Sequence, residues 1–526
     1  MKNVFIYAIL GLILIVGSCK KLVDEQPKSD GTLDQFFKTI YDANAAMAGM
    51  YGAFQQTMVG EAQFNNRYTY WGEGRSDNME RQQQYSNNST TELHLNTLSA
   101  NNSYSDWSPL YTVIGRANLN ILKFPDINKY AAAGSKDVID QPTLLRYLSE
   151  CYAMRAVCYF YIVRLWGDAP IRTAPYLDIS QEPAQPRDPK DSVMAQVIRD
   201  ATTAYNLVAK GANANVWYVN EAAICALLAD AYMWTKDYNN AIKWEQNLFK
   251  AKSPTGKLYN PSASALIGSG GAATDLETTT SWKTPFVTPA ASIESIWNIH
   301  WDVTANGCPC MAGISPSVNN TPFVVSTELW SGVWSKDTAD IRPKSSFDVT
   351  KSNHDRVWKW FPGSFGPTGP KGSYTLANPN FYTDGSSTTT TVYLPMYRLA
   401  DQFLLYAEAL NKIGDRTDAL KYLNLIHTRA GLKPYVASQF PDDPSMENAI
   451  LQERQWELFG EGKRWFDLVR TDHVIQVMDP ILRNRQKVAN ADTVGFGGDK
   501  RKYLWPINRN ILNANPKITQ NPPYSG

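Results

Sequence analysis

Apolar residues recur with the spacing of an α-helix in several stretches of the first half of the chain. This periodicity predicts helices over residues 40–58, 107–123, 143–166 and 189–207. The third of these runs into Gly167-Asp168-Ala169-Pro170, and Gly followed closely by Pro is a common helix terminator. The pattern indicates a mostly α-helical fold.

Two later segments share a helix–turn–helix pattern with small residues in matching places. Ala229 and Ala241 are twelve residues apart, and so are Ala407 and Ala419. That step resembles the tetratricopeptide repeat, in which small residues let two paired helices approach closely. We therefore expect tetratricopeptide-like helix pairs that form a superhelical scaffold, with two chance matches in a helical protein as the alternative.

The hydrophobic pattern changes in the middle of the chain. Helical periodicity is lost over residues 253–395, where Gly, Pro, Ser and Thr are frequent and tryptophan remains abundant. A long irregular insert in a helical scaffold is usually functional or disordered, and so many aromatic residues argue against disorder. We expect one domain over 40–526, helical over 40–252 and 396–480, with this loop-rich insert and an extended tail over 481–526.

The first residues carry an apolar run that is too short to span a membrane. Val4–Val16 fits the apolar core of a signal peptide, and Gly17-Ser18-Cys19 follows it. Small residues directly before a Cys resemble a bacterial lipobox, in which the Cys is lipidated and becomes the mature N-terminus. We expect a lipoprotein signal peptide over 1–18, lipidation at Cys19 and a tether over 19–39. An ordinary signal peptide with an incidental Cys is the alternative.

Charge and cysteine content exclude some functions. The formal net charge of +1 gives no field that would attract nucleic acid. Cys151 and Cys158 lie about two helical turns apart, which is too far for a disulfide. Cys308-Pro-Cys310 could form a strained redox pair or half of a metal site, but no second Cys or His pair has matching spacing. Two free loop thiols are the simpler interpretation.

The search for catalytic motifs finds little. The five histidines are scattered, and neither H-E-x-x-H nor G-x-S-x-G occurs. The glycine-rich stretch Gly268–Gly271 follows no strand-like run, so it does not indicate a dinucleotide site. We expect no catalytic residue, no metal and no cofactor.

A series of short motifs follows the lipobox-like segment in a fixed order. They include Arg75-Ser76-Asp77-Asn78, Arg164-Leu165-Trp166-Gly167-Asp168-Ala169-Pro170, Tyr397-Arg398-Leu399-Ala400-Asp401, Arg429-Ala430-Gly431-Leu432, Glu461-Gly462-Lys463-Arg464 and the closing Gln520-Asn521-Pro522-Pro523-Tyr524. Each motif alone is weakly specific. In this order, over nearly the whole chain, they resemble the SusD/RagB family of nutrient-binding outer-membrane lipoproteins.

The resemblance implies a binding protein and not an enzyme. It implies a lipid-anchored protein of the outer membrane, facing the cell exterior, that captures an oligosaccharide or polysaccharide. Its partner would be a SusC-like TonB-dependent transporter, to which the glycan is delivered for polysaccharide utilisation. A peptide-binding RagB-like member is one alternative. A surface glycoside hydrolase and a purely structural adaptor are more distant ones.

Glu453, Glu457 and Glu461 are spaced for one face of a helix. Paired carboxylates can hydrolyse glycosidic bonds, but basic residues share this segment and unpaired like charges at this spacing are unfavourable. An interhelical ion-pair network is the better interpretation. Its predicted members are Arg398, Asp401, Glu453, Arg454, Glu457, Glu461, Arg464, Asp467 and Arg470.

Glycan recognition needs aromatic faces for the C–H faces of sugar rings and polar side chains for their hydroxyls. In the family, these contacts come from N-terminal loops and from the irregular insert. By region, the predicted ligand-binding residues are Trp71, Arg75, Asp77, Asn78, Trp282, Trp301, Trp330 and Trp334. Trp297 lies in an alternating, strand-like segment and is expected to pack inward.

Overall fold

The structure, a computed structural model, confirms a mostly helical protein. It describes residues 36–59, 66–82, 87–130, 135–178, 180–260, 276–302, 322–336, 339–347, 359–360, 365–367, 374–376 and 391–525. Cys19 and the Cys308-Pro-Cys310 pair lie outside these ranges, so the predictions on them stay predictions. Within the described residues, no helix is long and apolar enough to cross a membrane.

The N-terminal helices match the periodicity. They are α1 (Ile40–Met58), α2 (Arg67–Gly72), α3 (Asn88–Leu95), α4 (Ser108–Lys123), α5 (Gln141–Trp166) and α6 (Lys190–Leu207). Helices α1, α4, α5 and α6 pack on one another in that order. Helix α1 begins with a capping box in which Thr39 and Asp42 satisfy each other's backbone N–H groups. Helix α5 ends at Gly167, whose φ of 77° suits a residue without a side chain.

Both predicted helix pairs are confirmed. The first pair is α7 (Glu221–Trp234) with α8 (Tyr238–Leu248). The second pair is α12 (Leu399–Lys412) with α13 (Arg416–Arg429). Ala229, Ala241 and Ala419 are fully buried, as expected where small residues permit close approach. Helix α8 packs on α12, so the two pairs join into one layer although a long insert separates them in sequence.

The insert contains short elements instead of long helices. They are α9 (Thr284–Val287), β2 (Ser295–Trp301), β3 (Phe323–Val325), α10 (Thr327–Leu329), a π-helix (Trp330–Trp334), α11 (Arg342–Ser346), β4 (Phe365–Pro367), β5 (Tyr374–Leu376) and β6 (Val392–Arg398). β2 pairs antiparallel with β6, β4 with β5, and β3 with β1 (Met79–Arg81). Trp297 on β2 packs inward as predicted, with its ring stacked on Phe54 at a centroid distance of 5.7 Å.

The C-terminal helices return after β6. They are α12 (Leu399–Lys412), α13 (Arg416–Arg429), α14 (Asp443–Glu457), α15 (Arg464–Arg470), α16 (Val474–Val488) and α17 (Arg509–Ala514). The expected boundary at residue 480 differs from the structure, because α16 passes through Pro480 and continues to Val488. The tail beyond Val488 is partly helical and is hydrogen-bonded to the scaffold.

Contacts from this tail reach the N-terminal third of the chain. The backbone N–H of Trp505 donates to the carbonyl of Leu165 at 2.7 Å. The side-chain amide of Asn521 donates to the carbonyls of Trp166 and Trp505, both at 2.9 Å. The motif that contains Leu165 and Trp166 therefore contacts the closing motif that contains Asn521.

Buried ion pairs connect the insert with the C-terminal helices. Glu457, at the end of α14, accepts from Arg398 at 2.7 Å and from Arg429 at 2.6 Å. Glu453 accepts from Arg342 of the insert at 2.6 Å. All five side chains are almost completely buried. Because these arginines surround it, the pKa of Glu457 lies well below its usual range although burial alone would raise it.

The other predicted members of the network are also paired. Glu461 lies beyond the end of α14, not on it, and still contacts Arg398 at 2.7 Å. Arg454 donates to Asp401 at 2.8 Å and to Asp467 at 2.9 Å. The remaining contacts are Arg470 with Asp467 and Glu408, and Arg464 with Asp77. These carboxylates therefore belong to a structural network and do not line an open cleft as a catalytic pair.

Replacing Glu457 tests how far the fold depends on this cluster. Glu457→Gln keeps the shape of the side chain but leaves the Arg398 and Arg429 guanidinium groups without their shared anion. Breaking a buried pair in this way costs about 3–5 kcal/mol, so we expect a loss of that order in the free energy of unfolding. Urea denaturation followed by circular dichroism measures it.

The matched control is Asp418→Asn, which breaks the exposed Asp418–Lys421 pair at 2.6 Å on α13. Solvent screens that pair, so little change is expected. Equal effects of the two substitutions would show that the Glu457 cluster has no special role in stability.

Candidate functional site

The four N-terminal residues predicted to bind ligand are buried. Trp71 has no exposed surface and donates its indole N–H to the carbonyl of Tyr104 at 2.9 Å. Arg75 lies over the ring of Trp465 at 4.0 Å and donates to the carbonyl of Tyr503 at 3.1 Å. These contacts consume the polar groups that were expected to face a sugar.

Asp77 and Asn78 are held in the same way. Asp77 forms an ion pair with Arg464 at 2.8 Å and accepts from the Gln455 amide at 2.8 Å. Asn78 donates to Glu73 at 2.6 Å. Asp77 lies in the wall of an open, amide-lined cavity of about 570 Å³ between α14 and α16, but its carboxylate is already paired.

The insert tryptophans divide into core and surface. Trp282, Trp301 and Trp334 are each at most 3% exposed, so none offers a ring face to solvent. Trp282 instead donates its indole N–H to Glu457 at 3.2 Å, as part of the ion-pair cluster. Trp330 differs, because its ring is partly exposed on the π-helix and contacts Phe347 edge-on at 6.2 Å. Of the predicted tryptophans, it is the one whose ring keeps partial exposure.

A groove with open aromatic and polar side chains runs along α1. It consists of two cavities that share Ala48 and Tyr218 in their walls, and we call the two together the α1 groove. The larger cavity has a volume of about 510 Å³ and the smaller one about 190 Å³. Volumes of about 300–1,000 Å³ are typical of ligand pockets, so the larger cavity alone is of sufficient size.

Four elements build the α1 groove, one of them the part of α5 that carries Arg146, Tyr147 and Glu150. Asn44, Ala48 and Tyr51 follow one face of α1 at steps of three and four residues. The loop between α6 and α7, residues 208–220, forms the opposite wall, and β2 closes one end. Two hydrogen bonds fix the loop: the backbone N–H of Asn298 on β2 donates to the carbonyl of Val216 at 2.8 Å, and the side-chain amide of Asn220 donates to the carbonyl of Ile296 at 2.8 Å.

Aromatic rings meet at the junction of the two cavities. Tyr218 is 41% exposed and packs edge-on against Tyr51 at 5.1 Å. Trp217 is half-buried, with its ring 4.7 Å from His300 and 5.2 Å from Tyr393. Burial lowers the pKa of His300, so its imidazole is neutral at physiological pH. The junction therefore presents uncharged, partly open rings.

The larger cavity is rich in groups that can bond to hydroxyls. Asn44, Asn213 and Asn215 line it and are exposed, and Arg146, Glu150, Glu221 and Lys252 also contribute to its walls. The amides offer both a donor and an acceptor, which suits a hydroxyl group that is itself both. Such a mixture of amides, charges and rings can hold a polar ligand with apolar faces.

One side chain in the smaller cavity lacks partners. Asn298 lines that cavity and is 1% exposed. Neither its amide nitrogen nor its amide oxygen has a hydrogen-bond partner among the described residues. A buried polar group without a partner costs about 1–3 kcal/mol, so the packing around β2 has to offset the burial of this amide.

Glu150 is the buried acid of the larger cavity. It accepts from the Tyr51 hydroxyl and from Arg146, both at 2.9 Å. Burial raises the pKa of Glu150 to about 7, although these two partners lower it. A carboxyl group that titrates near neutrality is one requirement of acid–base catalysis, but here both oxygens are occupied by protein groups. Among the described residues, no cluster of His, Cys, Asp and Glu could hold a metal ion.

The sequence interpretation did not identify the α1 groove. Trp217 and Tyr218 stand in Asn213-Ala214-Asn215-Val216-Trp217-Tyr218, a loop between two predicted helices. Two adjacent aromatic residues among asparagines in a short loop are an available signal. Loops held by a rigid scaffold commonly carry binding residues. No pattern in the sequence marked Asn298, because only the fold shows that it lies in the buried strand β2.

Comparison with known proteins identifies the family. A profile described as the SusD family matches residues 371–524, and one described as "Starch-binding associating with outer membrane" matches residues 22–233. The chain belongs to the SusD/RagB family. It is 27% identical to the SusD-like protein P38 of Formosa agariphila, over 99% of each chain.

Solved structures of SusD/RagB-type proteins share the fold. A putative sugar-binding protein from Bacteroides vulgatus has a TM-score of 0.66 at 22% identity, covering 93% of this chain and 99% of its own. A laminarin-binding SusD-like protein has a TM-score of 0.66 at 19% identity, covering 93% of this chain and all of its own. At these identities, the similarity establishes the tetratricopeptide-like architecture and leaves the ligand of this SusD/RagB member open.

The titration of Glu150 gives a test of this site in the absence of ligand. Its pKa in the folded protein lies above its ordinary value of 4.5. Its contribution to stability is therefore fully present below pH 4.5 and is lost as the pH rises through about 7. Glu150→Gln removes this dependence. We expect the wild type to lose on the order of 3 kcal/mol relative to the variant between pH 4.5 and 8, as measured by urea denaturation.

The control is Glu182→Gln, at an exposed glutamate whose pKa is lowered. The difference between that variant and the wild type should stay flat over the same pH range. A flat difference for Glu150→Gln as well would show that Glu150 titrates at its ordinary pKa.

Proposed function

We propose that this protein binds a glycan at the cell surface and delivers it to a SusC-like TonB-dependent transporter of the outer membrane. The observation that carries the proposal is the α1 groove, in which Trp217 and Tyr218 stand beside an asparagine-lined cavity. Sugar rings present C–H faces to aromatic rings and hydroxyls to amides. An aromatic side chain with a polar edge suits such an amphipathic ligand.

Family membership supports the cellular role. The matching family description refers to starch binding in association with the outer membrane, and two structural relatives carry sugar-binding or laminarin-binding names. The expected lipidation at Cys19 would tether the protein to that membrane, since several acyl chains together give stable anchoring. Facing the exterior, the protein would capture glycan where the transporter opens.

The side chains of the site favour glycan binding without catalysis. Glu150 and Glu221 both line the larger cavity. Glu150 is engaged by Tyr51 and Arg146, and Glu221 accepts from the backbone N–H of Gly211 at 2.7 Å. Two-carboxylate hydrolysis needs one group free to protonate the leaving oxygen and another free to act on the sugar or on water. Neither carboxylate is free in that sense.

The proposal can be tested with the soluble protein that starts after Cys19. In affinity electrophoresis through gels containing different polysaccharides, we expect retardation by at least one glycan and no release of reducing sugar. Trp217→Ala should weaken that retention roughly tenfold, equivalent to about 1.4 kcal/mol, because the ring loses its contact with the sugar. Circular dichroism should show an unchanged fold.

The matched control is Trp330→Ala, which removes the partly exposed tryptophan of the π-helix and should leave retention unchanged. Loss of retention in Trp330→Ala alone would move the site to the insert. Capture of peptides without retention by any glycan would favour the RagB-like alternative. Release of reducing sugar that Glu150→Gln abolishes would identify a glycoside hydrolase.

A further inference from the structure

The hydroxyl of Tyr51 joins three of the elements that build the α1 groove. It donates to the Glu150 carboxyl of α5 at 2.9 Å and accepts from the backbone N–H of Val219 at 3.0 Å. Val219 directly follows Trp217 and Tyr218 in the loop between α6 and α7. A hydroxyl on α1 therefore links a carboxyl of α5 to the loop that carries the two aromatic residues.

Both hydrogen-bonding roles of that hydroxyl are filled by protein groups. A tyrosine hydroxyl has a single hydrogen to donate, and here Glu150 receives it. Burial raises the pKa of Tyr51 well above its ordinary value, so the phenol keeps this hydrogen at physiological pH. The Tyr51 hydroxyl is thus committed to the protein and does not stand ready for a sugar hydroxyl.

Glu150 fixes the direction in which the hydroxyl points. Its side chain is 3% exposed, and its other carboxyl oxygen accepts from Arg146 at 2.9 Å. A hydroxyl hydrogen otherwise rotates to suit its neighbours. Because the buried carboxyl holds this hydrogen, the oxygen of Tyr51 keeps a lone pair directed at the backbone N–H of Val219.

The hydroxyl supports the loop from the side that faces α1. On the other side, β2 holds the loop through the hydrogen bonds of Val216 and Asn220. Loss of the hydroxyl would leave those bonds intact but would leave the N–H of Val219, a residue that is 5% exposed, without its acceptor. The loop would then have to shift to satisfy that N–H, and the adjacent aromatic residues would shift with it.

We propose that Tyr51 is a positioning residue for glycan binding. Its hydroxyl, oriented by Glu150, holds the loop so that Trp217 and Tyr218 present their rings to the ligand. The inference rests on the proposed glycan-binding function and assigns part of the affinity to a hydroxyl that does not itself bind the sugar.

The loop can be tested first in the ligand-free protein. Tyr51→Phe removes the hydroxyl and keeps the ring, which packs edge-on against Tyr218 at 5.1 Å. In hydrogen–deuterium exchange followed by mass spectrometry, peptides that contain Val219 should exchange about fivefold faster in the variant, because this N–H has lost its acceptor. Unchanged exchange in these peptides would overturn the inference.

Tyr159→Phe is the matched control. The Tyr159 hydroxyl on α5 accepts from the backbone N–H of Arg172 at 2.6 Å and donates to the carbonyl of the same residue at 3.0 Å. It therefore also holds a loop, but neither residue lines the α1 groove. We expect Tyr159→Phe to lower the melting temperature about as much as Tyr51→Phe does, with no change in exchange at Val219.

Affinity electrophoresis measures the effect on binding, with soluble starch, laminarin, xylan and pectin as probes. For a polysaccharide that retards the wild type, Tyr51→Phe should weaken the affinity about fivefold, as the loss of one hydrogen bond would. Tyr159→Phe should bind like the wild type. Equal weakening in both variants would show a general effect of stability and would overturn the positioning role.

A double substitution tests whether Tyr51 and Glu150 act as a unit. Glu150→Leu removes the carboxyl that orients the hydroxyl and should weaken binding on its own. If the two groups act through one chain of hydrogen bonds, the double variant should bind within about twofold of the weaker single variant. Additive losses would show two separate contributions and would overturn the inference.

The outcomes separate this inference from the function on which it rests. Retention that depends on Trp217 but is unaffected by Tyr51→Phe would overturn the positioning role and leave the proposed function intact. Retention by none of the four polysaccharides would count against the proposed function and would overturn the inference with it.

Discussion

The fold depends on a group of charges that have been removed from water together. Glu457 holds Arg398 and Arg429, which belong to β6 and α13, and the neighbouring Glu453 holds Arg342 of the insert. Each charge alone would be costly to bury, and their mutual pairing offsets that cost only while every partner is in place. The cluster therefore requires the insert and the C-terminal helices to adopt one arrangement relative to each other.

The same constraint reaches the candidate site through β2. Glu294, directly before this strand, pairs with Arg429 at 2.6 Å, so one end of β2 is fixed at the charge cluster. The strand pairs antiparallel with β6, with shifts of register on either side of Trp297, and brings Asn298 and His300 to the end wall of the α1 groove. A residue of the irregular insert is thus positioned against α1 as firmly as a residue of the scaffold.

The helices were predictable because their signals are local. A period of 3.6 residues, capping residues such as Thr39, and terminators such as Gly167 act within one or two turns. The two helix pairs were also visible, since small residues at Ala229 and Ala241 serve one local contact. The continuation of α16 through Pro480 could not be predicted, because packing of the surrounding turns overrides the local cost of a proline.

The candidate site was largely unpredictable for the opposite reason. Arg75 and Asp77 are the polar residues that a binding loop would carry, but partners more than 380 positions away, Tyr503 and Arg464, consume them. Trp282 looked open beside polar neighbours and is instead a donor to the buried Glu457. Conversely, the structure places the predicted ion-pair members in buried pairs, while Arg342, Arg429 and Glu294 could be added only from the fold. In this chain, the residues of the ordered motifs form contacts that stabilise the fold more than contacts that could bind a ligand.

The attachment of the tail has a consequence for how the protein is made. Asn521 closes onto Trp166, and Trp505 onto Leu165, so the end of α5 is completed by residues that are synthesised long after it. Contacts this distant along the chain form late, because the intervening loop must first be closed. A growing chain can therefore form its N-terminal helices early but cannot complete the contacts at the end of α5 until the segment from Trp505 to Asn521 has been made. The arrival of that segment, and not the formation of α5 itself, completes the N-terminal third of the fold.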